Sequence, residues 1–354
     1  MNFVLTLDYE LYGDGTGSVF SHIIEPTNNI LDICNKNNIK VTIFVEAIEY
    51  LKIKNEWNKG NTMGYSKDPV KAIEEQLINA ALNGHDIQLH IHPQWVNAIF
   101  ENGKWKVDLS NWRLGDFNSD GNYDIEALIT DAKEEVEELI SEVIPNYKCI
   151  AFRAGAFNIM PSHQVFEAMR ATGLKVDSSV YPGGYENGEL SRYDYRNVPL
   201  ELDFWWGSKE DITRPSDNTR EIMELPVFAL QQRRWKKVIN TQKIKSLLFN
   251  KNNAVSSVAR SNMAAKSTLE KIKFLFEKDA FTWDFCLFSQ SQHKAYFNYI
   301  EKHLYDKRNS FVIIGHPKSF KNEKSLKSLI ELSRKRKYSY SFKTLRELYE
   351  EFNN

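Results

Sequence analysis

Short apolar runs alternate with amphipathic stretches along most of this 354-residue chain. Apolar runs of roughly 4–8 residues bounded by turn residues are typical of buried strands. The runs predict strands over residues 3–7, 40–45, 86–89, 149–152, 174–176, 222–227, 282–288 and 311–314. Apolar residues at helical spacing predict helices over residues 26–37, 69–82, 124–143, 161–171 and 290–304, most of 236–280, and two short helices flanking a small strand at the carboxyl end. This alternation indicates βα units around a mostly parallel α/β sheet.

Five of the predicted strands end in side chains that can carry chemistry. They are, in chain order, Asp8 and Glu10 after the first strand, His90 and His92 after residues 86–89, Arg153 after residues 149–152, Asp177 after residues 174–176, and His316 after residues 311–314. In barrel-like α/β folds the reactive groups lie at the carboxyl ends of the strands. Five such ends that converge on a metal, a base and an acid predict an active site.

These motifs, in this order, resemble the polysaccharide deacetylase family, also called the NodB-homology or carbohydrate esterase family four fold. The resemblance spans residues 3–320 and includes the run Gly84-His85-Asp86-Ile87-Gln88-Leu89-His90. It implies a distorted (β/α)7–8 barrel that binds a divalent metal. No composition break divides the chain, so we expect a single domain over residues 1–354, with a loop and helical insertion near residues 181–260.

The first motif supplies two acids on one strand. The resemblance implies that Asp8 is the general base, and that Glu10 ligates the metal in the place of an adjacent family acid, where this chain has Tyr9. Alternate residues of a strand point the same way, so Asp8 and Glu10 can face one site while Tyr9 turns away. The alternative is that Asp8 caps a turn before Gly13 and Gly15.

The second motif leaves the metal ligands open. His90 matches the first metal histidine of the family, but the second lies four positions later, where this chain has Gln94. His92 is the alternative, since it can lie on the same side of an extended segment as His90. Imidazole suits zinc well and a neutral amide oxygen does not. The predicted metal set is therefore Glu10 and His90 with His92 or Gln94, and zinc is the predicted ion.

The later motifs complete the chemistry that the resemblance implies. Arg153 matches an arginine that pairs with the catalytic acid, which here is Asp8. His316 matches the histidine that protonates the leaving group, and Asp177 matches the acid that pairs with that histidine. The alternative for His316 is a turn histidine before Pro317, and for Asp177 a turn-forming residue before Ser178.

Aromatic residues near the motifs or in loops are candidates for platforms under sugar rings. Trp95, Trp205 and Trp206 are the predicted substrate-binding residues, with Trp112, Tyr181 and Tyr185 as further candidates. The alternative for each is packing in the core or a loop.

Composition narrows the function class. The formal net charge of −1 argues against a general nucleic-acid binder, and no apolar stretch reaches the ~20 residues that span a bilayer. Three separated cysteines without a CxxC pair, and no signal-like start, favour the cytoplasm.

The leading hypothesis is a metal-dependent hydrolase that removes an acetyl or other small acyl group from an amino sugar or related amide. Its substrate would be a carbohydrate or sugar precursor used in surface-polysaccharide biosynthesis. Two alternatives remain: a metal-free barrel that binds a glycan without turnover, kept open by Gln94, and a hydrolase of a non-sugar C–N bond.

Overall fold

The computed structural model describes residues 1–117, 123–216, 218, 220–235 and 276–353. Its strands are β1 (Asn2–Tyr9), β2 (Thr42–Glu46), β3 (Asp86–Ile91), β4 (Ile99–Glu101), β5 (Lys104–Lys106), β6 (Ala151–Ala154), β7 (Val176–Asp177), β8 (Tyr185–Asn187), β9 (Arg192–Asp194), β10 (Trp205–Trp206), β11 (Met223–Glu224), β12 (Ala229–Arg233), β13 (Lys278–Thr282), β14 (Ser310–Gly315) and β15 (Ser341–Phe342). Its α-helices are α1 (Glu25–Lys36), α2 (Ala47–Asn58), α3 (Pro69–Leu82), α4 (Ile125–Ser141), α5 (His163–Thr172), α6 (Gln290–His303), α7 (Lys324–Arg334) and α8 (Leu345–Asn353). No helix among these residues is both long enough and apolar enough to cross a membrane.

One large sheet organises the molecule. Its strand order is β10-β11-β7-β6-β3-β2-β1-β14, and β15 pairs with the start of β1. Every neighbouring pair is parallel except β10 with β11. Because the strands are parallel, the carboxyl ends of β1, β3, β6 and β14 meet at one edge of the sheet. The predicted α/β class is confirmed.

The sheet curls so that its two ends approach each other. After β11, the Leu225 N–H donates to the Asp177 carbonyl at the end of β7. Two residues later, Val227 forms an isolated parallel bridge with Val312 of β14. One short segment therefore links both sides of the sheet, which gives a distorted barrel rather than an open sheet.

The core explains why the strands are continuous apolar runs. Strands β2, β3, β6 and β14 are buried along their whole length. Helices such as α4 present an apolar stripe to them, and Asp124 begins that helix by accepting from the Ala127 N–H. Strands covered on both faces need no polar alternation, so periodicity alone identifies them poorly but length and turn residues identify them well.

Most predicted elements correspond to observed ones, but helix α2 and several short strands were not predicted, and one predicted strand is misplaced. The predicted strand over residues 282–288 is wrong: the strand is β13 (Lys278–Thr282), and beyond it Asp284 makes only an isolated bridge to Ile314. Residues 222–227 form a shorter strand than predicted. Most of the helical prediction for residues 236–280, and part of the predicted insertion near residues 181–260, lie outside the described residues.

Candidate active site

The carboxyl ends of β1, β3 and β14 enclose a cavity of about 380 Å³, called here the strand-end cavity. Its polar lining includes Asp8, Glu10, His90, His92, His316 and Lys318. The register of the strands explains why these side chains converge. Asp8 pairs with Phe44 of β2, Glu46 of β2 pairs with His90 of β3, and His90 pairs with Arg153 of β6. Five of the predicted site residues are thus brought to one cavity by strand pairing.

Asp8 is held by a buried arginine. Arg153 Nη1 lies 2.6 Å from Asp8 Oδ1, and the arginine also donates to Thr6 Oγ1 and to the Ser178 carbonyl. Burial raises the pKa of Asp8, but Arg153 and the nearby histidines outweigh it and hold the pKa below its ordinary value. The predicted pairing of Asp8 with Arg153 is present, and it keeps this buried carboxylate ionised.

Glu10, His90 and His92 form the one group of histidine, cysteine or acidic side chains in the described residues that is arranged to hold a metal. Their ligand atoms all lie within 4.8 Å of one another. Glu10 Oε2 is 2.7 Å from His92 Nε2 and 3.5 Å from His90 Nε2. Both histidine nitrogens are buried, and their contacts with Glu10 have the distance but not the geometry of hydrogen bonds.

The surroundings of His90 leave its Nε2 atom free for a metal. His90 Nδ1 lies 2.9 Å from the main-chain carbonyl of Arg153, which can only accept a hydrogen bond, so Nδ1 carries the proton. A histidine oriented through its other nitrogen in this way is the usual arrangement at metal centres. Two imidazoles and a carboxylate are ligands that suit zinc, so the residues present fit a divalent metal.

Gln94, the other predicted candidate ligand, contacts His92 and does not line the strand-end cavity. Its Nε2 donates to His92 Nδ1 (2.9 Å) and to the Gly13 carbonyl (3.3 Å). Its Oε1 is buried without a hydrogen-bond partner. A half-turn of this amide would offer Oε1 to a protonated Nδ1 and leave the lone pair of His92 Nε2 for a metal. Gln94 therefore helps to fix the orientation of the His92 ring.

Gly155 explains how His92 fits into this position. A Cβ atom at residue 155 would lie 2.5 Å from Cγ and Nδ1 of the His92 ring. The imidazole therefore packs directly on the backbone after β6, where any larger residue would displace it. The sequence Arg153-Ala154-Gly155 serves the site through its glycine as well as through its arginine.

Lys318 was not predicted and contacts the metal group directly. Its Nζ lies 2.8 Å from Glu10 Oε1 and 2.6 Å from the Leu11 carbonyl. Burial raises the pKa of Glu10, but Lys318 and His92 outweigh it and hold the pKa well below its ordinary value. Lys318 follows His316 by two residues, in the short 3₁₀ turn Pro317–Ser319. This closeness to His316, the predicted proton donor, was the only sign of Lys318 in the sequence.

Two further acids beneath the cavity were also missed. Glu46 Oε1 accepts the main-chain N–H of His92 at 2.8 Å, and its other oxygen caps α2 at the Glu49 N–H. Burial raises the pKa of Glu46 to about 8. Glu49 in turn accepts the Leu11 N–H with both oxygens. Glu46 ends β2 as His90 ends β3, so its place at a strand end was the available signal.

His316 faces the acids of β1. Its Nε2 lies 3.5 Å from Asp8 Oδ2 and 3.9 Å from Glu10 Oε1, and a quarter of its side chain is exposed. The predicted pairing of His316 with Asp177 is not formed. Four strands separate β7 from β14 in the sheet order, and the Asp177 carboxylate is instead bonded by Ser179 Oγ at 2.5 Å.

Asp177 belongs to a second acid pair, with Glu224 of β11. The two residues are register partners, and both are fully buried. Burial raises the pKa of both carboxyls, well above its ordinary value for Glu224. Asp177 Oδ2 and Glu224 Oε2 are both buried without a hydrogen-bond partner.

The three predicted substrate tryptophans do not line the strand-end cavity. Trp95 is buried with its ring against Trp105, and Trp205 is buried with Nε1 donating to the Ile212 carbonyl. Trp206 packs against Phe204. These rings are packing residues, whereas Tyr12, Trp112 and Phe157 line the cavity. Trp95 follows the His90 and His92 motif directly, in the short turn Pro93–Trp95, yet its side chain is buried.

Solved structures show what the chain resembles as a fold. A protein from Mycobacterium smegmatis, assigned as a polysaccharide deacetylase, aligns with 99% of this chain and 90% of its own, at 13% identity and a TM-score of 0.50. The Puue allantoinase aligns over the same shares at 10% identity and a TM-score of 0.51. No protein-family model and no curated protein sequence matches this chain. The fold is that of the polysaccharide deacetylases, as the motifs led us to expect.

Proposed function

We propose that this protein is a metal-dependent hydrolase that removes an acetyl or other small acyl group from an amino sugar or a related amide. The observation that carries the proposal is the convergence of a charged base, a three-residue metal group and a partly exposed histidine on one cavity. The names of the two structural neighbours, a polysaccharide deacetylase and an allantoinase, support an enzyme that acts on C–N bonds.

Glu10, His90 and His92 would hold the metal, for which we propose zinc. In that position zinc would supply Lewis-acid chemistry, which would make water more acidic and the substrate carbonyl more electrophilic. Gln94, Gly155 and the Arg153 carbonyl set the rings of the two histidines for this task.

Asp8 and His316 would move the protons. Asp8, ionised by its contact with Arg153, accepts a proton from the attacking water as the new C–O bond forms. His316 gives a proton to the nitrogen as the C–N bond breaks, so the products are a carboxylic acid and a free amine. The quarter-exposed His316 side chain can recover its proton from solvent. Trp112 and Phe157 provide apolar walls beside these groups.

The cellular role belongs to the same proposal. We propose a carbohydrate precursor of a surface polysaccharide as the substrate, and the cytoplasm as the compartment. Cys34, Cys149 and Cys286 are buried free thiols, which suits a reducing compartment.

A second candidate is a metal-free barrel that binds a glycan without turnover. Lys318 favours it, because an ammonium group already neutralises the carboxylate that a metal would use. The likeness to an allantoinase favours a third candidate, hydrolysis of a non-sugar C–N bond.

Metal content and acetate release together test these candidates. We expect the protein purified with zinc to hold one ion and to release acetate from an N-acetylated amino sugar. His90→Ala should lose both properties. His85→Ala is the matched control, since His85 lies on the same run but contacts Val41 and Asn35 outside the cavity. Glycan binding with no retained zinc would establish the second candidate instead.

A further inference from the structure

We propose that two buried hydroxyls, those of Thr6 and Ser178, position the Arg153 guanidinium and thereby decide which oxygen of Asp8 accepts the proton. The two side chains are called here the hydroxyl clamp. Neither residue lines the strand-end cavity, so both act through Arg153 and are positioning residues. The inference rests on the proposed function for the role of Asp8 as a base.

The clamp holds the guanidinium from two sides. Arg153 is fully buried, and its Nη1 donates to Thr6 Oγ1 at 3.0 Å as well as to Asp8 Oδ1 at 2.6 Å. On the other side, its Nη2 donates to Ser178 Oγ at 3.1 Å and its Nε to the Ser178 carbonyl at 2.8 Å. The ring of Phe44 lies 4.3 Å from the guanidinium carbon. The group can therefore rotate only by breaking hydrogen bonds on both sides.

Each hydroxyl of the clamp is itself fixed in direction. Thr6 Oγ1 donates to the Ile313 carbonyl at 3.1 Å, and Ser178 Oγ donates to the Leu225 carbonyl at 2.8 Å. A hydroxyl has one proton to donate, so its lone pairs are left to accept from Arg153. Ile313 lies in β14 and Leu225 follows β11, which are near opposite ends of the sheet order. The guanidinium is thus held between the two sides that meet where the barrel closes.

The consequence for Asp8 is that its two oxygens have different roles. Oδ1 is bound by Arg153, whereas Oδ2 lies 3.5 Å from His316 Nε2, which belongs to the cavity lining. Oδ2 is therefore the oxygen that accepts the proton of water. A carboxylate whose partner can rotate loses this fixed orientation, and reaction rates depend steeply on such alignment. The clamp should therefore affect turnover more than substrate binding.

The chain offers a matched control for each hydroxyl. Thr42 is the register partner of Thr6 on β2, is also fully buried, and accepts the main-chain N–H that begins α8 at 2.8 Å. Ser179 follows Ser178, is also fully buried, and accepts the last main-chain N–H of β6 at 2.8 Å. Neither control hydroxyl bonds to Arg153. Removing any of the four hydroxyls breaks buried hydrogen bonds, but only two removals reach the guanidinium.

Nuclear magnetic resonance of protein labelled with ¹⁵N-arginine tests the clamp without turnover. The Arg153 signals are identified by their loss in Arg153→Lys. We expect separate signals for Nη1 and Nη2, because the hydrogen bonds slow rotation of the guanidinium. Thr6→Val and Ser178→Ala should each speed this rotation about tenfold, which is the effect of one hydrogen bond on a rate. Thr6→Ser should preserve the slow rotation.

The controls show what loss of a buried hydroxyl does by itself. We expect Thr42→Val and Ser179→Ala to leave the rotation of the Arg153 guanidinium unchanged. Equal rotation rates in Thr6→Val and Thr42→Val, or in Ser178→Ala and Ser179→Ala, would overturn the clamp. Rapid rotation in the unmodified protein would overturn it as well.

Kinetics of the zinc-saturated protein test the role of the clamp in the reaction. We expect Thr6→Val and Ser178→Ala each to lower kcat for acetate release about tenfold at unchanged KM, and Thr6→Ser to restore it. Faster rotation with an unchanged kcat would overturn the assignment of the Asp8 oxygens. Absence of acetate release from every form of the protein would contradict the proposed function, whereas the rotation rates would still show whether the clamp exists.

Discussion

Two pairs of buried acids, Asp8 with Glu10 and Asp177 with Glu224, differ in their charged neighbours and in the direction of their pKa shifts. Asp8 lies near the end of β1 and Glu10 comes directly after that strand, and each contacts its own cation, Arg153 or Lys318. Their pKa values are lowered despite burial. Asp177 and Glu224 face each other across β7 and β11, and burial raises both of their pKa values.

The difference teaches that a carboxyl at a strand end has no fixed role. The first pair is charged and opens on a cavity, so it can bind a metal and accept a proton. The second pair is enclosed in the barrel wall, where burial favours the protonated form of both carboxyls. Cations from distant parts of the chain decide between the two outcomes.

Substitutions in the two acid pairs should differ most in their effect on turnover. We expect Asp8→Asn to lower kcat by roughly 10²–10⁴-fold, because the amide cannot accept the proton of water. Asp177→Asn should have a far smaller effect, since Asp177 does not contact His316. Initial rates of acetate release measure both, and circular dichroism checks the fold. If Asp177→Asn were as inactive as Asp8→Asn, the two pairs would not differ in function.

Metal retention should show the same contrast. We expect Glu10→Gln to weaken zinc binding by more than the roughly 10–100-fold typical of changes behind the ligands. Glu224→Gln should leave zinc binding unchanged, because Glu224 lies outside the metal group. Competition with a chromophoric chelator measures both affinities. Equal zinc binding by Glu10→Gln and the unmodified protein would remove Glu10 from the proposed ligands.

The effect of Lys318 on Glu10 should be measurable as a change in zinc affinity when the lysine is replaced. We expect Lys318→Met to tighten zinc binding about tenfold, since an ammonium group beside the carboxylate repels a dication and occupies Glu10 Oε1. Lys321→Met, at an exposed position three residues further on, is the control. Weaker zinc binding in Lys318→Met would show instead that the lysine holds Glu10 in its ligating position.

The raised pKa values of Asp177 and Glu224 should affect how the free energy of unfolding depends on pH. The folded protein keeps a proton on Glu224 that the unfolded chain loses near pH 4.5, so its stabilising contribution is present below that pH and is lost as the pH rises toward the folded pKa. We expect Glu224→Gln to gain stability relative to the unmodified protein as the pH rises from 5 to 8, by up to about 1.4 kcal/mol per pH unit.

Urea unfolding at several pH values measures this gain. Glu75→Gln is the control, because its side chain is 62% exposed. Parallel stability curves for Glu224→Gln and the unmodified protein would mean that Glu224 is ionised in the folded state.

The sequence predicted the elements and the chemistry of the strand ends because both depend on local pattern. Helix spacing located α1, α3, α4, α5 and α6, and alternation on β1 correctly placed Asp8 and Glu10 on one side. The comparison of His92 with Gln94 also rested on local geometry, and the structure favours His92.

The remaining features depend on contacts between distant segments. Lys318 contacts Glu10 across 308 residues of sequence, and its position two residues after His316 was the only local sign of it. Trp95 follows a metal motif, yet its ring packs against Trp105 in the core. The partner of Asp177 depended on the strand order, which the sequence alone did not provide.

Arg153 has a consequence for any mutational survey of this protein. Its side chain binds Asp8, while its main-chain oxygen accepts from His90, so one residue supports the proposed base and a proposed metal ligand through different atoms. Substitution changes only the first contact, because every amino acid carries the same carbonyl. A substitution at position 153 that leaves activity unchanged would therefore test the guanidinium alone. The contribution of the main-chain carbonyl cannot be tested by exchanging the side chain.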